Sequence, residues 1–387
     1  MGAAVYAALG FAALPFIYYL LAIYSTVRFF SGAKKWVLTD SNFTPPLSNL
    51  KPVRGLDPGA YESFASYCRQ DYPEYEIVFC VDRDDPAAAV IEKLKNDFPD
   101  RRIRVLYGAV REMPNDKVAR LSRLVSEAKY EVLVLNDSDV AVEQGYFRTL
   151  VAPLQDPNVG AVTCLHVLAK DTTFIQKLQS VGMLSDFYPG IFVARELDGV
   201  KFALGPTIAT TKSHLAGFGG YDAIGDRPAE DLHVGRLIAA QGYEVVLLPY
   251  TVKTDPDFQS LAEFVNKRLR WMTSMRHLRS WGHLGLIFTF GLPWAVAAIL
   301  IHPTWTTAAC YLGAYLAFRL AMTWLVGGWG MKQEGVWKQI PMIVLWDAQA
   351  FVVWLISFLR RNIRWRGIDY RFQNGKFLRV DAKPIRK

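Results

Sequence analysis

Asp137 and Asp139 stand two residues apart at the end of the apolar run Tyr130-Glu-Val-Leu-Val-Leu-Asn. Their oxygens are hard ligands of the kind Mg²⁺ or Mn²⁺ takes, and such a cation can neutralise a diphosphate. An Asp-rich turn after a strand would use the same residues. Further along, Glu230 and Asp231 open a helical pattern. Negative charge is favourable there in any helix, and a carboxylate in a closed pocket can also act as a general base. Asp85 precedes Pro86 after another apolar run. That is an N-cap with proline at the first helical position, and it leaves room for a contact to a ribose or base. Lys117, in Asn115-Asp-Lys117, is either a solvated lysine or a contact to a diphosphate.

The elements that must position these groups alternate. Tyr75–Val81, Ile103–Tyr107, Glu131–Asn136, Val159–Cys164 and Val245–Leu248 read as strands. Pro86–Asn96, Lys117–Ala128, Phe174–Leu184 and Asp231–Gln241 read as helices. The alternation predicts a doubly wound α/β domain with a mostly parallel sheet. Ligands of such sheets gather at the carboxyl ends of strands, where Asp137 and Asp139 fall. No Gly-x-Gly-x-x-Gly or Walker loop follows the first strand, which disfavours a dinucleotide or P-loop site.

The chain has 387 residues, of which 51% are hydrophobic and 13% aromatic, high for a soluble enzyme. Ala3 to Tyr24 carries no charge and is long enough to span a bilayer. Arg28, Lys34 and Lys35 follow it, which predicts an uncleaved anchor with its C-terminal side in the cytosol. Three more apolar segments lie near Leu284–Ile301, Trp305–Gly327 and Ile340–Leu359. The first contains Gly291 and Pro293 and is read as re-entrant or interfacial. Arg319 and Asp347 lie inside the other two, where a lone charge is expensive. A mutual salt bridge is the expectation, a role at a lipid headgroup the alternative. Between Phe258 and Leu284, apolar residues recur at helical spacing among Lys267, Arg268, Arg270, Arg276 and Arg279. That predicts a basic amphipathic helix on the membrane surface. Hence five divisions: an anchor (1–32), an α/β domain (46–257), an interfacial helix (258–283), C-terminal membrane segments (284–359) and a basic juxtamembrane tail (360–387). The net charge of +8 concentrates beside apolar segments, so it points to anionic headgroups and not to nucleic acid. Four scattered cysteines exclude a zinc or disulfide framework and fit a reducing cytosolic face.

The order of the pieces carries more than any one of them. Asp85-Pro86, Asn115-x-Lys117, Asp137-x-Asp139, Gly219-Gly220-Tyr221, Glu230-Asp231 and Arg270-Trp271, set beside membrane segments, resemble the membrane glycosyltransferases of the GT-A fold. More narrowly, the chain resembles the ceramide glucosyltransferase family with its bacterial and hopanoid-associated relatives. Lys51-Pro52 in its opening strand, Asp71-Tyr-Pro73 and the Trp365-Arg366 tail are similar too.

The resemblance implies a GT-A nucleotide-sugar-binding domain between an N-terminal transmembrane helix and a C-terminal helical bundle. It implies that Asp85 lies near the uridine and that Asp137 lies beside the sugar-diphosphate and metal, with Asp139 completing the metal pair. Asp231 matches the family's catalytic base, beside Glu230. Lys267, Arg270 and Trp271 match its Gln/Arg-x-x-Arg-Trp motif, with lysine where glutamine or arginine is usual, which loses the planar donor fork. Tyr188-Pro189 stands where ceramide enzymes tend to have His-Pro. The implied reaction moves a hexose from a UDP-sugar to a primary hydroxyl of a membrane lipid with inversion, using Mg²⁺ or Mn²⁺. Lys117 and Arg270 hold the diphosphate, and Trp271 walls the acceptor site. Ceramide, a diacylglycerol and a hopanoid polyol are the acceptor classes. The implied location is multi-pass, with the catalytic domain on the cytosolic face of a bacterial inner membrane or a Golgi-type membrane. A processive polysaccharide synthase shares several motifs, but its growing chain would need a channel that three or four segments do not suggest. A scaffold with a degenerate transferase shell would have lost these carboxylates, and a transporter would show repeated helical halves.

Overall fold

The computed structural model describes residues 2–32, 42–256, 258, 260–365, 367–373 and 375–380. Lys34, Lys35, Asp257, Arg366 and the end of the tail from 381 lie outside the described residues. The chain divides into two compact units. One comprises Met1–Gly32, Asp171–Gly199 and Ser260–Ile363; the other comprises Ala33–Lys170, Val200–Gln259 and Arg364–Lys387.

The second unit is an α/β sandwich. Its strands are β1 (Leu47–Pro52), β2 (Tyr75–Val81), β3 (Ile103–Tyr107), β4 (Val132–Leu135), β5 (Val140–Ala141), β6 (Val159–Leu168), β7 (Ile208–Thr211) and β8 (Glu244–Thr254). They lie in the order β3-β2-β1-β4-β7-β6-β8-β5. Successive side chains of a strand point to opposite faces, and here both faces are covered. Ile77, Phe79 and Val81 enter one hydrophobic cluster with Val132 and Val134, while Val78 and Cys80 enter another with Leu133 and Leu135. That is why these strands read as unbroken apolar runs. β3, β2, β1 and β4 are parallel. β7 runs antiparallel between β4 and β6, and β5 runs antiparallel to β8, so the mostly parallel sheet is mixed. Cys68, Cys80, Cys164 and Cys310 are free thiols, the first three buried.

The stretch expected as a basic juxtamembrane tail from 360 contains strands. Asn362–Trp365 (β9), Ile368–Gln373 (β10) and Lys376–Arg379 (β11) form a small sheet. Ile368, Tyr370 and Phe372 alternate inward and Phe377 stacks on Tyr370, which gives so short a sheet an apolar face. β11 is tied to the α/β unit. Phe377 N–H donates to Asp226 O at 2.7 Å, and Lys376 pairs with the Asp226 carboxylate at 2.7 Å.

The other unit is helical. Ala3–Gly32, Trp305–Gly330 and Val336–Ser357 are long and apolar enough to cross a membrane, and Ser280–Thr289 with Gly291–Ile301 forms a pair bent by 56°. The bend falls at Phe290-Gly291, in the segment read as re-entrant or interfacial. The expected salt bridge is present. Arg319 pairs with Asp347, both buried; Tyr315 Oη donates to Asp347 Oδ2 at 2.7 Å, and Arg319 also donates to the Ser185 carbonyl. The 171–199 stretch, expected inside the continuous domain 46–257, packs with these helices instead. Gly182 is the reason at one end: the Trp346 indole fills the space a side chain would need.

Candidate active site

The carboxyl end of β4 is anchored before it reaches its first acidic residue. Buried Asn136 accepts from Asn49 Nδ2 at 2.8 Å through Oδ1. Its own amide donates to Tyr146 Oη at 2.8 Å and to the Pro206 carbonyl at 2.9 Å. The chain that follows is therefore held in register by two side chains and a backbone carbonyl from three other segments. Beneath Asp137, Lys51 donates to the Asp137 carbonyl at 3.1 Å and lies 3.7 Å from the centre of the Tyr67 ring. Lys51 is fully buried, and burial pushes its pKa down to about 7 although Asp139 and Asp137 pull it upward. Ser138 Oγ donates to Asp57 Oδ2 at 2.5 Å, and Asp255 N–H donates to Asp139 O at 2.9 Å.

Lys117 reaches the same place from the helix Asp116–Glu127. Asn115 starts that helix, its Oδ1 accepting from the N–H of Lys117 at 3.1 Å. Its amide also donates to Arg227 O at 2.8 Å, and its N–H to Gly225 O at 2.9 Å. One residue thus joins the Lys117 helix to the loop that leads to Glu230. The Lys117 ammonium lies 2.5 Å from Asp137 Oδ1 and also pairs with Glu230. Burial alone would lower Lys117; Asp137, Glu230 and Asp231 outweigh it and hold the group well above its ordinary range.

Glu230 and Asp231 begin the helix Glu230–Ala240, straight after Ala229 with φ 51°. A non-glycine residue in this left-handed region is uncommon and carries strain. Upstream, Gly219 and Gly220 have φ of 89° and 64°. Only glycine adopts two such values in succession without cost, and the turn delivers buried Tyr221 to the cleft. Asp231 Oδ1 accepts from the Leu232 N–H at 2.8 Å. Burial and then the Glu230 charge push Asp231 up to about 7, against the pull of Lys117. A carboxylate poised there can exchange a proton near neutral pH.

Lys117, Asp137, Tyr221 and Glu230 line a cleft of about 240 Å³, its open mouth included, together with Pro52 and Gly205 among others. Among the described residues no group of three or more His, Cys, Asp or Glu side chains is arranged to hold a metal. Asp137 and Asp139 are nevertheless half-buried hard-oxygen donors at a strand end. They fit a cation that takes one or two carboxylates and completes its shell from phosphate and water, as Mg²⁺ does.

Asp85 is engaged in structure. Its Oδ1 caps the helix Pro86–Asp97 through Ala87 N–H at 2.9 Å, and its Oδ2 accepts from Gly55 N–H at 2.6 Å. Lys267, Arg270 and Trp271 lie in the other unit, on the helix Leu261–Leu278. There the Lys267 ammonium sits 4.9 Å from the Trp271 ring centre, a contact that needs charge but no planar fork. Its neighbour Arg268 is the buried cation, 4.2 Å over Trp346 and 3.8 Å from Asp186. Lys51, Asn136 and Gly205 were not singled out as site residues from sequence. Lys51 had a signal: a lysine inside an otherwise apolar strand must find a partner.

The model of glycosyl transferase family 21 matches residues 9–378, nearly the whole chain. The chain belongs to that family. It is 34% identical over 154 residues to a ceramide glucosyltransferase of Gibberella zeae, covering 37% of this chain and 28% of that protein. It is 23% identical over 260 residues to ceramide glucosyltransferase 3 of Caenorhabditis elegans, covering 67% of this chain and 56% of the relative. The chain thus spans between about a quarter and somewhat over half of these two relatives' lengths. A mannosyltransferase of Pyrobaculum calidifontis, solved with GDP-Man and Mn²⁺, shares the fold with a TM-score of 0.54 and 19% identity. That match covers 87% of this chain and 99% of the other. This family 21 chain thus has a fold of GT-A type and, among its described residues, three helices long and apolar enough to cross a membrane.

Proposed function

We propose that this family 21 glycosyltransferase moves a hexose from a UDP-sugar to the primary hydroxyl of a membrane lipid, with inversion, as a ceramide glucosyltransferase would. The observation that carries the reading is that Lys117, Asp137 and Glu230 line one cleft with Gly205, and that the Asp231 carboxylate faces that same glycine. The relatives named above are called ceramide glucosyltransferases, which supports the acceptor class. The closed part of the cleft measures about 10 Å³, far below the roughly 300–1,000 Å³ of drug-sized pockets, so the nucleotide-sugar would lie across its mouth. Asp85 would stand near the uridine. Lys117 would exchange its carboxylate partners for the diphosphate. Asp137 and Asp139 would hold Mg²⁺ or Mn²⁺, a Lewis acid for the charge that gathers on departing UDP.

Asp231 would take the proton of the lipid hydroxyl as its oxygen attacks the anomeric carbon from the face opposite UDP, so a single displacement inverts that carbon. By the family's motif, Arg270 serves the diphosphate, and Lys267 and Trp271 serve the acceptor. Glu230 keeps Lys117 charged and Asp231 basic. The bilayer supplies the acceptor, and the α/β unit would face the cytosol. The test is to incubate membranes with several UDP-sugars, with ceramide, diacylglycerol or hopanoid polyol, with and without Mn²⁺, and to identify products by mass. Asp231→Asn is expected to lose about 10²–10⁴ in rate and to lack the wild-type fall in activity below about pH 7. Full transfer by Asp231→Asn would remove Asp231 from its role, and transfer undiminished by chelation would remove the metal.

A further inference from the structure

Gly205 sits in the turn before β7, and its φ is not in the left-handed region. The backbone there would accept any side chain, so the glycine answers a need for space. A Cβ at this position would lie 3.1 Å from Asp231 Oδ2 and 3.4 Å from Asp137 Oδ2. The two carboxylates that the proposed reaction sets on opposite sides of the transferred sugar both look onto this one missing side chain.

The turn has no freedom to retreat. Thr207 N–H donates to Leu204 O at 3.1 Å, and Leu204 N–H donates to Thr163 Oγ1 at 2.9 Å. Thr163 Oγ1 donates to Thr207 O at 2.7 Å, and Asn136 holds the Pro206 carbonyl at 2.9 Å. Thr163, Thr207 and Asn136 are buried. With the turn pinned on both flanks, a methyl group at 205 would stand in the cleft this glycine lines, pressing on the Asp231 carboxylate and in van der Waals contact with that of Asp137.

We propose that Gly205 is a specificity-determining position: its bare Cα sets the room available to the sugar between Asp137 and Asp231. The inference rests on the UDP-sugar reading above. Its signature is the increment in affinity that the sugar adds to UDP, which a merely structural glycine would leave alone.

Full-length protein in detergent, with Mn²⁺ present, is titrated calorimetrically with UDP and with UDP-glucose, as wild type and as Gly205→Ala. The variant is expected to bind UDP within twofold of wild type. Its affinity for UDP-glucose should fall about tenfold, the low end of what one methylene more or less in a binding pocket is worth. Gly205→Val should lose more than Gly205→Ala. Equal binding of UDP-glucose by wild type and Gly205→Ala overturns the proposal, and so does a parallel loss of UDP binding, which would mean that the methyl acts on the fold. Wild-type protein that binds neither ligand would instead defeat the UDP-sugar reading itself.

Discussion

Replacing Lys117 with methionine tests whether the cleft is held together by one cation. The ammonium lies 2.5 Å from Asp137 Oδ1 and pairs with Glu230, which is 6% exposed. Methionine keeps most of the stem and removes the charge. Stripping a buried ion of its partner costs about 3–5 kcal/mol. Asp231 softens the loss. Burial and Glu230 already push it up to about 7 while Lys117 pulls it down, so without Lys117 the carboxylates retain a proton at neutral pH. The expected cost is therefore near the lower end, about 3 kcal/mol. The direction with pH follows. The folded variant binds a proton that the unfolded chain, with ordinary carboxylates, has released, so its stability rises as pH falls. The deficit against wild type should shrink between about pH 8 and about pH 6. Alkylation of the buried thiols Cys68, Cys80 and Cys164 reports opening of the α/β unit and is measured in wild type, Lys117→Met, Glu230→Gln and the double variant. Coupling of roughly 0.5–3 kcal/mol is expected between the two positions. Additive losses, or a Lys117→Met protein as stable as wild type at the higher pH, would refute the reasoning.

Two further substitutions probe contacts at other depths. Asp85→Ala removes both the helix cap and the link to Gly55, and should cost about 1–2 kcal/mol by the same thiol protection; Asp85→Asn should recover most of it. Arg319→Met leaves Asp347 buried and unpaired and should lose about 3–5 kcal/mol, whereas Arg319→Met with Asp347→Leu should regain most of that in thermal melts of the solubilised protein.

Much of this could be read in the sequence because it is local. Caps at Asp85 and Asn115 follow from residue type beside a periodic run. Strands β2 and β3 were expected at their observed bounds because buried parallel strands are short apolar runs between polar stops. The Arg319–Asp347 pair followed from the cost of a lone charge among apolar residues. What stayed hidden depends on residues far apart in sequence. The Asn49–Asn136–Pro206 link joins three segments, and no spacing rule announces it. Gly205 looks like any loop glycine until Asp137 and Asp231 are seen to face it. The helix Phe174–Gly182 has the pattern of an α/β helix, and its place among the apolar helices comes from Trp346 against Gly182. The tail did carry a signal: Ile368, Tyr370 and Phe372 alternate with period two, but a cluster of arginines there reads first as a membrane-facing charge.

The tie between β11 and Asp226 has a consequence for biosynthesis. The loop from Gly225 to Ala229 is held on one side by Asn115, made more than a hundred residues earlier, and on the other by Lys376 and Phe377, made more than a hundred residues later. While the ribosome is still threading the apolar helices, the nascent α/β unit has its sheet but lacks the second brace on the segment that delivers Glu230 and Asp231. The late strands then act as a latch, closing on this loop after the hydrophobic segments have been made. A nascent chain arrested before residue 376 should therefore protect its β2 and β4 amides while leaving those of 225–229 open to exchange.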